Sequence, residues 1–101
     1  MERPTIKIED KIYAIKALKG KDWRILGEFG ENQPQYTDAN FIEKHAEFIA
    51  NFYDVPAEEI LNKMPLKEVL PATMAIRTYM VNALTEKIAV IEKNSEADKA
   101  Q

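Results

Sequence analysis

Hydrophobic positions change period several times along the chain, and each change marks an element. Ile6, Ile8, Ile12 and Ala14 alternate with other residues on either side of Glu9-Asp10, while Tyr13, Ile15 and Ala17 take the opposite parity. A period of two with dense β-branching predicts a short hairpin turning at Glu9-Asp10. Ile8, Ile12 and Ile15 also fit one helical stripe, so strand and helix both stay open for residues 5–18. A hairpin of this size is marginal alone in water and needs a helical layer to pack on.

Gly20 interrupts that pattern, and Asp22 is placed to cap a short helix carrying Trp23, Leu26 and Phe29 on one face and ending at Gly30. Residues 31–36, with Asn32, Gln33 and Pro34, read as a loop. The strongest helical signal follows. Phe41, Ile42, His45, Phe48, Ile49, Phe52 and Tyr53 recur every three or four residues, opposite Glu43, Lys44, Glu47 and Asn51. Asn40 with Glu43 has the spacing of a capping box. Pro56 suits the first position of another short helix, whose first turn holds Glu58 and Glu59 and whose buried side is Ile60, Leu61 and Met64. After Pro65, residues 66–70 make one turn, and Pro71 starts a long helix from Ala72 to about Lys93. Its apolar positions include Ile76, Met80, Leu84, Ile88 and Ile91. At ~33 Å it would form the spine of the core. Asn94 to Gln101 is polar throughout and reads as a tail or linker.

The expected fold is therefore mainly α, a compact bundle of about four helices. It becomes α+β if the alternating reading of residues 5–18 holds. Residues 1–93 form one domain, followed by the polar segment 94–101. A chain of 101 residues, 46% hydrophobic and 31% charged, is long enough for one core without staples.

Charge and composition narrow the function more than the fold. The formal net charge is −3, with +2 over residues 1–30 and −5 over residues 31–63. Nucleic-acid binding calls for a basic stripe, and only Lys16, Lys19, Lys21 and Arg24 approach one. Cys is absent, His45 is the single histidine and Ser95 the single serine, so no nucleophile–base pair or thiolate metal site can be written. Within one helix His45 stands about 200° away from Glu43 and from Glu47, which prevents a shared metal there. Glu58 and Glu59 are adjacent and do not face one another as a glycosidase pair must. The reading is a non-enzyme without cofactor or metal. The N-terminus lacks the apolar stretch of a signal peptide, and no run approaches the ~18 residues of a membrane span.

The remaining candidates are partner-binding residues. Trp23 in Lys21-Asp22-Trp23-Arg24 has the composition of an interface anchor. Met64, Met74 and Met80 cluster near the two C-terminal helices, and methionine lines surfaces that accept varied partners. Each also has a plain reading as core.

Three stretches, Tyr13 to Arg24 (YAIKALKGKDWR), Phe41 to Ala50 (FIEKHAEFIA) and Leu70-Pro71 before a long helix, resemble the tail assembly chaperones of long-tailed bacteriophages. The resemblance spans roughly residues 6–93 and contains no catalytic signature. It implies a protein of the infected host's cytoplasm, absent from the mature virion, that coats the helical tape measure protein while tail tube subunits are recruited around it. In many such phages a frameshifted longer form contacts the tube protein. Coating a long helical client calls for many copies, and the reading here is a homo-oligomer that self-associates through apolar helix faces. The alternative from another class is a small phage or host regulatory adaptor that binds another protein, of the anti-repressor type.

Overall fold

The computed structural model describes residues 3–99, with side chains placed as far as Glu86. Two strands, β1 (Thr5–Ile8) and β2 (Lys11–Ala14), precede four helices, α1 (Gly20–Glu31), α2 (Phe41–Ala50), α3 (Ala57–Lys63) and α4 (Leu66–Lys99). The strands form a two-stranded antiparallel sheet. The fold is thus a mainly helical bundle with an N-terminal hairpin.

The hairpin turns at Glu9-Asp10 as its sequence predicts, with Glu9 in the left-handed region at φ 57°. Its faces differ from the simple alternation. Ile6 lies opposite Tyr13 and Ile8 opposite Lys11, so residues of opposite parity share a face across a two-residue turn. Ile6, Ile8 and Ile15 are therefore buried with Tyr13 packed beside them, while Ile12 is 70% exposed. The Ile15 amide donates to the Pro4 carbonyl (3.1 Å) and the Lys16 amide to the Phe52 carbonyl (2.8 Å), which ties the hairpin to the end of α2.

Asp22 acts from inside α1 rather than as its N-cap. The Lys19 amide donates to its carboxylate (2.7 Å), and its own amide donates to the Lys19 carbonyl (3.0 Å). That reciprocal pair satisfies groups a helix start leaves open. Gly30 does not end α1, which closes one residue later. The amide and side-chain Nδ2 of Asn32 both donate to the Glu28 carbonyl (3.0 Å each).

At the start of α2, Asn40 makes no side-chain capping bond, so the expected capping box is absent. The chain enters instead through a turn in which the Gln35 amide donates to the Asp38 carboxylate and the Phe41 amide to the Asp38 carbonyl. α2 ends at Ala50, short of the apolar stripe. Phe52 and Tyr53 are buried from the turn that follows, so their periodicity reflects a shared core and not a continuing helix. Pro56 lies just outside α3, and Leu61 faces partly outward while Ile60 is fully buried.

The largest departure is in α4. Residues 66–70 and the long helix are one element, with Pro71 inside it. Pro71, six residues in, removes the amide that would bond the Lys67 carbonyl and crowds that carbonyl with its ring, yet the helical segment continues on both sides of it. The change of composition at Asn94 brings no helix end, because α4 runs to Lys99. The last two residues of the expected tail, Ala100 and Gln101, lie outside the described residues.

One core cluster gathers Ile6, Ile8 and Ile15 from the hairpin segment with residues of α2, α3 and α4 and of the turns between them. α2 packs on both α3 and α4. Tyr53 is buried with its hydroxyl unpartnered, and burial pushes its pKa up to about 12. Because the folded value lies above that of the unfolded chain, ionisation of Tyr53 opposes folding: stability is untouched by it below pH ~10 and falls between pH ~10 and ~12.

Two predictions follow from these contacts. Asp22→Ala should lower unfolding free energy by about 1 kcal/mol in urea melts, since the Lys19 amide loses its acceptor. Tyr53→Phe should be neutral or stabilising at pH 7. Its stability should also fall less steeply than that of the parent between pH ~10 and ~12. Equal slopes for the two proteins would show that the Tyr53 phenol titrates as in the unfolded chain.

Candidate functional site

Grooves beside α4 receive the four residues singled out in the sequence, but not as one site. Trp23 is 43% exposed at the start of α1, and it lines a hollow of about 220 Å³ with Leu18, Met80, Ala83 and Leu84. Met80 forms its floor and is otherwise buried, 4% exposed. The structure thus brings Trp23 and Met80 together between α1 and α4.

Met64 and Met74 line the other side of α4. Met64 is buried at one end of a hollow of about 330 Å³ walled by Thr5, Ile6, Lys7, Glu68, Pro71 and Ala72. Met74, 65% exposed, lines an adjoining hollow of about 700 Å³ with Arg3, Pro4, Thr78, Tyr79 and Asn82. Thr5, Pro71 and Ala75 belong to both, so the two hollows form one groove between β1 and α4. Local sequence explains its shape. The bond between the Ile15 amide and the Pro4 carbonyl fixes the alternation of the hairpin ladder. It leaves the backbone groups of Thr5 and Lys7 turned away from β2. On the opposite wall, Ala72 and Ala75 keep α4 low, and Pro71 supplies a surface without an amide donor.

His45 is a structural residue here. It is buried in α2, and its Nδ1 donates to the Phe41 carbonyl (2.8 Å), an atom that can only accept. Phe29 meets its ring edge-on at 5.1 Å and Phe41 lies at 4.4 Å. Among the described residues no group of three His, Asp or Glu side chains could hold a metal ion. No helix of the described residues is long and apolar enough to cross a membrane.

The sequence reading missed one feature of this surface. Leu66, Leu70, Met74, Val81 and Leu84 are all exposed on α4. The spacing of Ile76, Met80 and Leu84 predicts one core spine, yet Leu84 is 52% exposed. The signal was present as a second apolar stripe, displaced by one residue from Val69, Thr73, Ile76 and Met80, which are buried. One residue is about 100° of rotation, enough to carry a stripe out of the core. No family model, curated protein or solved structure matches the chain.

Proposed function

We propose that this protein is a phage tail assembly chaperone that binds the tape measure protein and helps recruit tail tube subunits. The observation that carries the proposal is the groove between β1 and α4, in which Met64 and Met74 share one apolar-lined channel. A groove of this kind suits one apolar face of a client helix, and methionine adapts its shape to successive turns of different sequence. The likeness of residues 13–24, 41–50 and 70–71 to tail assembly chaperones names the client class. Many weak contacts along one long client add up by multivalency, so a single copy needs no deep pocket. The acidic middle of the chain discourages non-specific aggregation while favouring basic client stretches. In this reading the protein works in the host cytoplasm and leaves before the virion is complete. A longer form of the chain would carry the contact with the tube protein.

Co-expression with the tape measure protein of the same genome tests this reading. The client should become soluble and co-purify with the chaperone. Ala75→Arg, which fills the groove from an exposed position, should reduce recovery of the client by about tenfold or more. Its melting temperature should stay that of the parent. Failure of the parent protein to bind or solubilise the client removes the proposed function. Undiminished capture by Ala75→Arg removes the groove.

A further inference from the structure

α4 carries more apolar surface than the body covers. Its core-facing stripe of Val69, Thr73, Ile76 and Met80 is buried, and the side chains from Val81 to Glu86 are all exposed. The helix continues to Lys99, nineteen residues and ~28 Å beyond Met80, the last buried residue among those whose side chains are described. An isolated helix of that length is marginal in water, where most helical stability comes from packing an apolar face.

The sequence supplies such a face in a regular form. Leu70, Met74, Arg77, Val81, Leu84, Ile88 and Ile91 follow one another at intervals of four and three without a break. This is the a/d repeat of a two-stranded coiled coil, with Met74, Val81 and Ile88 at a and Leu70, Arg77, Leu84 and Ile91 at d. Leu70, Val81 and Leu84 are about half exposed and Met74 is 65% exposed, so the body covers the seam only in part where its side chains are described. The a/d choice also bears on the number of strands. Val81 at a with Leu84 at d, the heptad whose side chains are described as exposed, is the combination that favours two parallel strands, while Ile88 at a with Ile91 at d departs from it. Charge agrees with that orientation. Lys87 falls at g and Glu92 at the e position of the next heptad, the two positions that meet between parallel chains. An antiparallel pair sets e beside e and g beside g and loses this match.

We propose that α4 pairs with α4 of a second copy of this chain as a parallel, in-register two-stranded coiled coil. The seam runs through Leu70, Met74, Val81, Leu84, Ile88 and Ile91. Arg77 is the one charged residue within it. Like a polar residue at other coiled-coil core positions, it lowers stability while fixing register. The groove between β1 and α4 lies to one side of this seam, with Met74 on the border between them. Dimerisation thus sets two client grooves on one rod. The inference concerns the chain alone and does not depend on the identity of the client.

Sedimentation equilibrium of the full chain tests it. The expected mass is twice the 11.6 kDa of one chain. Leu84→Lys should give a monomer whose body still unfolds cooperatively, because Leu84 is exposed and outside the core. Arg77→Leu should act in the opposite direction and lower the dissociation constant by about tenfold or more, which a folding defect could not do. Orientation is read by cross-linking, since the chain has no cysteine of its own. Leu84→Cys and Ile91→Cys, each made singly and oxidised, should both give covalent dimers. A monomeric parent chain, a Leu84→Lys variant that remains dimeric, an Arg77→Leu variant with weaker association, or cross-linking at only one of the two positions would each overturn the proposal.

Discussion

One constraint organises this molecule. A single helix, α4, must serve both as the wall of the core and as the main outward surface. Along its first half, Val69, Thr73, Ile76 and Met80 close the core against a layer that includes buried residues of α2 and the hairpin. The next position along the helix begins an equally regular row that the same layer cannot reach, because helix geometry turns it about 100° away. The hairpin depends on α4 as well. Two strands of four residues do not persist alone, and Ile6 and Ile8 are buried because the shared core covers them.

Period and composition made much of this legible. The hairpin position, the amphipathic α2 and the existence of four helices all follow from spacing. What was lost can be traced to particular residues. Strict alternation placed Ile12 with Ile6 and Ile8, whereas a two-residue turn exchanges parity and puts Tyr13 there. Phe52 and Tyr53 extended the stripe of α2 past its end, because a turn can present side chains to the same core. Pro71 read as a helix start when it lies within the early turns of α4, at the cost of one lost amide and a crowded carbonyl. Each error concerned a boundary or a face.

The candidate site was legible in its residues and hidden in its arrangement. Trp23, Met64, Met74 and Met80 were chosen by chemical type, and type does not say which side of a helix is covered. The structure divides them between two grooves flanking α4 and leaves Leu70, Val81 and Leu84 exposed. Those leucines and the valine were missed because a spine helix is expected to be apolar, and a second stripe looks like more core. The distinction lies in what the chain has left to cover it. Beyond Met80, the side chains described, as far as Glu86, are exposed, and Ala83 and Leu84 only border the hollow beside Trp23. A protein built this way works by surface: an adaptable groove for a client and a repeating seam for another copy.

Hydrogen exchange measured along α4 at two protein concentrations tests that division of labour most directly. The account predicts that amides from Val69 to Met80 stay equally protected at both concentrations, held by the core of one chain. Amides from Val81 to Ile91 should gain protection only at the higher concentration, where a second copy covers the seam. Protection beyond Met80 that is the same at both concentrations would show that the helix needs no partner there, and would contradict the account.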